Sequence, residues 1–289
     1  MDLDIPLSLE KAYAQCQELA FGHYENFPVA SLLLPKASRP HIAALYAFAR
    51  TADDFADEDR FEGKRLTLLS RWDRDLRKAL QGKKVSPILR AFAHTLKVIH
   101  IPTRLPFQLL EAFRRDVTLH RYKDWASLFD YCRHSADPVG RMVLYISGIR
   151  DEKLHRYSDF ICTSLQLINF WQDSSIDLQR GRIYYPLNEL KKAGVREKDL
   201  LSLKDSPQVR QLVKKAVDLT EDHLRKGHPL LEKLSGRLKL EISATYLGGQ
   251  GILNKIRGMD YNVLRNRPSW SGMEKLSLAL RALFGPVKP

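Results

Sequence analysis

The chain has 289 residues, of which 44% are hydrophobic, enough to bury a sizeable core and to exclude a disordered protein. Its formal charge of +13 favours anionic partners, but there is no aromatic RNA-binding motif, no zinc-finger spacing and no long basic run, so nucleic acid is not expected and most of the surplus reads as solvated surface. No stretch approaches the roughly 18–20 apolar residues of a membrane span, and the acidic opening MDLDIPLSLEK is unlike a secretory leader; the chain is expected in the cytoplasm.

In chain order, apolar residues recur at three and four positions and predict helices near 8–22, 39–58, 62–81, 87–100, 106–120, 124–147 and 152–178. They continue with a short helix near 187–193 and others near 207–228, 230–257 and 272–284. Ser86-Pro87 and Ser206-Pro207 each offer a cap followed by a proline at the first helical position, as does Ser38-Arg39-Pro40. Gly82, Gly194 and Gly258 stand where helices should stop. Cys16, Cys132 and Cys162 form no CxxC pair, so buried free thiols are expected rather than disulfides or a zinc site. Linkers and repeats are missing, and one all-α bundle domain spanning 1–289 is the expectation. The one substantial non-helical connection in mid-chain, Gln179 to Pro186, follows an acidic motif directly.

Two helices carry the chemistry. LYAFARTADDFADE places Tyr46, Arg50, Asp53 and Asp57 on one face, with Asp54 and Glu58 on the neighbouring stripe and Leu45, Phe48 and Phe55 as packing. LQLINFWQDSSID places Gln166, Asn169, Asp173 and Asp177 on a polar stripe among Leu165, Leu167, Ile168, Phe170, Trp171 and Ile176, which predicts that the stripe is buried. Carboxylates one turn apart repel by about 0.2–0.5 kcal/mol on an isolated helix, so a cation should sit between them. Hard oxygen pairs suit Mg²⁺, which keeps several waters and completes its shell with substrate phosphates. Two such helices facing each other would clamp a metal-bridged diphosphate.

These motifs resemble the squalene and phytoene synthase family, over about Phe21 to Tyr261. Within it they are most similar to the hydroxysqualene-forming branch of bacterial hopanoid synthesis, through HYENFPVAS at 23–31, YAFARTADDFADE at 46–58, YCRHSADPVGRMVLY at 131–145 and LQLINFWQDSSIDLQRGRIYYP at 165–186. The resemblance implies an isoprenoid synthase fold with a central cavity, and Mg²⁺ on Asp53, Asp57, Asn169, Asp173 and Asp177. It also implies diphosphate contacts from Arg50, Tyr46, His23 and Gln166, with Tyr131 and Tyr246 lining the reacting end. Relatives that condense two diphosphates carry Arg where Gln172 stands, and a small-residue pattern where Ala136-Asp137-Pro138 stands. Both departures suit the hydroxysqualene branch, whose substrate is presqualene diphosphate, and suggest Gln172 or Asp137 as the residue that orients a terminating water. No NADPH is expected, because GxGxxG is absent and Gly248-Gly249-Gln250-Gly251 reads as close helix packing.

A condensing synthase is the nearest alternative, and a non-catalytic assembly factor of the same fold is another. The latter would not need both acidic motifs, which this chain keeps. A thirty-carbon substrate also implies peripheral contact with the inner face of the membrane. The segment 262–289, with Arg265, Arg267, Trp270, Lys275, Leu276, Leu278, Leu280, Arg281, Leu283 and Phe284, is the candidate flank.

Overall fold

Every regular element among the described residues is helical, and the sole ladder-type pairing is an isolated parallel bridge between Arg121 and Ile183. The computed structural model describes residues 5–22, 35–272, 274 and 287; most of the helix expected near 272–284 therefore lies outside the described residues. The helices are α1 (Glu10–Gly22), α2 (Arg39–Asp57), α3 (Arg65–Leu80), α4 (Pro87–Val98), α5 (Arg104–Thr118), α6 (Trp125–Ser135) and α7 (Asp137–Ile146). They continue as α8 (Glu152–Gln172), α9 (Ser174–Gln179), α10 (Leu187–Ala193), α11 (Glu197–Leu201), α12 (Pro207–Gly227), α13 (Pro229–Lys233) and α14 (Gly236–Gly258). No described helix is long and apolar enough to cross a membrane.

The contacts separate two compact units, Met1–Thr118 with Pro138–His155, and Leu119–Asp137 with Arg156–Pro289. In the first, α2 packs against α1, α3, α4 and α5. Its apolar face is built from Ile42, Leu45, Phe48, Ala52 and Ala56, all buried, and Phe48 stacks on Phe92 at 4.2 Å between ring centroids. The alanines let neighbouring helices approach, while the separate face carrying Tyr46, Arg50, Asp53 and Asp57 stays half-buried.

In the second unit the buried face of α8 holds Leu167, Ile168, Phe170 and Trp171. The indole N–H of Trp171 donates to Thr220 Oγ1 of α12 at 2.8 Å, so this large ring is buried without an orphaned donor. Two glycines of α14 allow close approach, one by α8 and one by the chain after α14. A Cβ on Gly249 would meet Leu165 at 2.9 Å and Ile168 at 3.0 Å, and one on Gly251 would meet the Trp270 ring at 2.2 Å. The glycine run is a packing device, as its spacing suggests.

Several boundaries differ from the sequence reading. The helix expected over 124–147 is interrupted at Ala136, where Pro138 favours a fresh helix start. Its start is capped by Asp124, whose side chain accepts from the Ser127 amide at 2.9 Å. The helix expected over 230–257 is two, with Leu234 and Ser235 extended between them. Ser206 caps α12 through Val209 N, whereas Ser38 and Ser86 make no side-chain cap. Gly82 and Gly194 are left-handed; past Gly258 it is Asp260 and Tyr261 that take that conformation. All three cysteines are free, Cys16 and Cys132 buried and Cys162 only partly so.

Gly227 closes α12 where a Cβ would stand 2.5 Å from Ile161 Cγ1 and 2.9 Å from the Tyr157 carbonyl oxygen. Because one obstacle is backbone, Gly227→Ala should destabilise the protein by about 1–3 kcal/mol in urea unfolding; an unchanged midpoint would contradict this packing.

Candidate active site

On α2, the repulsion between carboxylates is answered from within the helix. Arg50 Nη2 lies 2.7 Å from Asp54 Oδ1 and Nη1 lies 3.4 Å from Asp53 Oδ2. Asp54 is the more sheltered of the two, with 18% of its side chain exposed against 48% for Asp53. Asp54 is therefore the inner, shorter anchor of the guanidinium and Asp53 its more exposed partner. The sequence placed Asp54 on a neighbouring stripe and gave it no role, although its spacing of four from Arg50 was the available signal. Arg65 donates to the carbonyl of Asp57 at 3.3 Å and fixes the helix end. Burial pushes the Tyr46 phenol above its usual range, with the Arg50 charge opposing it.

The second motif departs from a continuous helix. α8 stops at Gln172, Asp173 takes φ −97° and ψ 12°, and α9 begins at Ser174. The cause is local: Ser174 Oγ donates back to the Phe170 carbonyl at 2.9 Å and also meets Tyr185 Oη at 2.9 Å, so the hydroxyl competes with the helix ladder. The spacing survives, because Asp173 N still donates to Asn169 O at 2.8 Å and Asp177 N to Asp173 O at 2.9 Å. The expected burial of the stripe does not hold: Asn169 is exposed, Gln166, Asp173 and Asp177 are half-buried, and Ile176 is 39% exposed. Trp171 and its neighbours fill the core from the other side of α8, leaving this stripe at its edge.

The connection after the motif is held in place by backbone. Ile183 N donates to His120 O at 3.0 Å, Leu187 N to Tyr122 O at 2.9 Å, and Arg182 N to Asp177 O at 2.8 Å. Beside it, Tyr131 is buried against Tyr122 at 5.6 Å and Phe170 at 5.9 Å, and Phe170 stacks on Tyr184 at 3.6 Å. Four aromatic rings are thus gathered around Phe170 on the buried side of α8.

Two side chains proposed for a terminating water already have protein partners. Asp137 is buried and accepts from Thr163 Oγ1 at 2.8 Å, while Gln172 Nε2 donates to the Pro268 carbonyl at 2.7 Å. The same C-terminal segment brings the Arg267 guanidinium onto Asp173 Oδ1. Arg267 was grouped by sequence with a membrane flank, and nothing local in that segment signals its pairing with Asp173. Trp270 likewise lies against Gly251, with Lys255 Nζ over its ring at 5.3 Å. Residues 275–286 and His23 lie outside the described residues.

On α14, Tyr246 is fully buried beside His228, and its hydroxyl has no hydrogen-bond partner among the described residues. A buried phenol without a partner is uncommon and costs stability. Five residues earlier stands Glu241, a further group the sequence reading passed over, with one carboxyl oxygen also unpaired.

Each motif thus offers a pair of hard oxygen donors on neighbouring helical turns. Among the described residues no group of three or more His, Cys, Asp or Glu side chains forms a ready-made metal cage. Such a donor set fits Mg²⁺, which is commonly held by one or two carboxylates with water and phosphate oxygens completing the octahedron.

The fold is all-α among the described residues, with two helical acidic motifs and an aromatic cluster beside α8. The family description Squalene/phytoene synthase matches residues 21–274, and the chain belongs to that family. The hydroxysqualene synthase of Zymomonas mobilis is 40% identical over 71% of this chain and 70% of its own, and that of Rhodopseudomonas palustris 35% identical over 82% and 80%. Among solved structures, squalene synthase HpnC from Alicyclobacillus acidocaldarius superposes with a TM-score of 0.85 at 39% identity, covering 89% of this chain and 97% of that one. A dehydrosqualene synthase solved with a ligand gives 0.84 at 23% identity over 96% of each chain, a likeness of fold. The protein is an isoprenoid synthase enzyme with the activity type of its family.

Burial raises the Glu241 carboxyl to about 7 from an ordinary 4.5. The folded state therefore holds its proton more tightly than the unfolded one; the stability this gives is complete below about pH 4.5 and is lost as pH rises through 7. Glu241→Gln should be more stable than the parent at pH 8 and lose that advantage by pH 4.5. A thermal-melt difference that does not change across this window would sink the assignment.

Proposed function

We propose that this enzyme ionises presqualene diphosphate and captures the rearranged cation with water, giving hydroxysqualene and diphosphate. The observation that carries the reading is the pair of helical Asp motifs, each beside a guanidinium, in a chain whose relatives at 35–40% identity are named hydroxysqualene synthase. The residue before Asp173 is Gln172, an uncharged side chain whose amide donates to the Pro268 carbonyl, where condensing relatives carry an Arg.

Mg²⁺ would be held by Asp53 and Asp57 of the first motif and by Asn169, Asp173 and Asp177 of the second, and would supply Lewis-acid charge to the diphosphate oxygens. The chain's own groups do the rest. Arg50, steadied by Asp54, presents a planar fork to phosphate oxygens, with Tyr46 and Gln166 as further hydrogen-bond donors. As the bond between carbon and diphosphate oxygen breaks, its electron pair leaves with the diphosphate, and donors fixed in advance stabilise the growing charge without reorganising. The carbocation left behind would be favoured by aromatic rings that face it, for which Tyr131 and Tyr246 are the candidates. A water oxygen then bonds to the cation and gives up a proton.

A condensing reaction is the second reading, favoured by the phytoene synthase of Zea mays at 27% identity over 98% of this chain. Product analysis separates the two: with Mg²⁺, turnover of presqualene diphosphate to hydroxysqualene supports the first, and consumption of farnesyl diphosphate supplied alone supports the second. Asp53→Asn and Asp173→Asn should each lower kcat by at least about a hundredfold with unchanged melting, because each removes a charge where leaving-group charge develops. Chelation with EDTA should abolish turnover reversibly, and full activity in chelator would refute the metal dependence. Arg50→Lys should lose more than a tenfold share of kcat/KM, since an ammonium cannot reproduce two parallel contacts.

A further inference from the structure

Between Leu76 and Leu110 the sequence contains seven Lys or Arg residues and no Asp or Glu. In an otherwise mixed-charge protein such a stretch sets up a one-signed field, and the structure concentrates part of it around a single groove. An open groove of about 560 Å³ in the first unit has Leu9, Leu80 and Leu96 in its wall and Lys83, Arg90 and Lys97 around it. Arg90 and Lys97 stand seven residues apart on α4, and so on one face. All three cations are exposed and none is ion-paired among the described residues. By contrast, the neighbouring Arg77 and Lys78 are neutralised by Asp73 and Asp75.

Beside the groove the chain displays apolar side chains where a soluble surface would hide them. Leu7 is 83% exposed and Leu80 36% exposed. Arg90 donates to the Ser8 carbonyl at 3.1 Å, which holds the Leu7–Leu9 turn against α4 and keeps Leu7 at the groove's edge. Unpaired cations around an apolar floor, with leucines projecting beside them, are the pattern of a surface that meets anionic headgroups with its charges and the acyl boundary with its side chains.

We propose that this groove is where the protein docks on an anionic lipid bilayer, with Lys83, Arg90 and Lys97 on the headgroup phosphates and Leu7 and Leu80 dipping into the interface. The assignment is independent of which isoprenoid is turned over, since docking is measured without turnover. It moves the membrane contact away from the C-terminal segment, whose Arg267 is spent on Asp173 and whose Trp270 is spent on Gly251.

Flotation of the full chain tests it, with vesicles of phosphatidylcholine alone and with about 30% phosphatidylglycerol added. Wild type should float with the anionic vesicles, be released by high salt, and stay behind with neutral ones. The triple variant Lys83→Gln, Arg90→Gln, Lys97→Gln should bind anionic vesicles roughly a hundredfold more weakly, at about the strength expected per surface cation. A control with equal charge loss elsewhere, Lys153→Gln, Lys198→Gln, Lys233→Gln, should stay within a few-fold of wild type. Leu7→Asp, which leaves the cations in place, should also weaken binding.

Turnover of detergent-solubilised substrate by the groove variant should equal wild type. Equal flotation of the groove variant and its control, equal binding to neutral vesicles, or no flotation of wild type would each overturn the proposal. So would loss of detergent-phase turnover by the groove variant, which would give these cations to catalysis instead.

Discussion

Two aspartates a helical turn apart repel one another, and each acidic motif of this protein sets a guanidinium against that repulsion. On α2 the answer is local: Arg50 leans on sheltered Asp54 and reaches the more exposed Asp53 at longer range. At the α8–α9 break the answer is remote, with Arg267 reaching Asp173 from the C-terminal segment. Exposed single pairs of this kind cost little to disengage when a stronger ligand such as a divalent ion arrives.

The surrounding architecture follows from where the apolar residues had to go. α2 spends one face on alanines and Phe48 and is thereby made the central helix of its unit, with its polar face held on a rigid element. α8 does likewise through Trp171, whose indole is both buried and hydrogen-bonded to Thr220. A site carried on packed helices is positioned more finely than one on loops, which suits chemistry that depends on donors fixed before charge appears.

Much of this was legible from residue spacing. The period of the apolar residues gave helix type and, for α2, α10 and α12, bounds within a residue or two, since each has a glycine, a proline or a cap at its ends. Spacing also put the polar residues of α2 on one face. Legibility failed where a side chain competes with the backbone or arrives from far away. Ser174 breaks the second motif through hydroxyl bonds to Phe170 and Tyr185 that periodicity does not encode. Counting apolar neighbours predicted burial for the Gln166–Asp177 stripe, but Trp171 takes the core side and leaves Asn169 exposed. The engagement of Gln172 by Pro268 and of Asp173 by Arg267 depends on tertiary placement alone.

That last pairing spans 94 positions along the chain. During synthesis the second acidic motif therefore leaves the ribosome long before Arg267 has been translated, and α10 to α14 are made before that ion pair can form. Maturation of the site is consequently a late event, timed by elongation, even though the helix that bears most of it can form early.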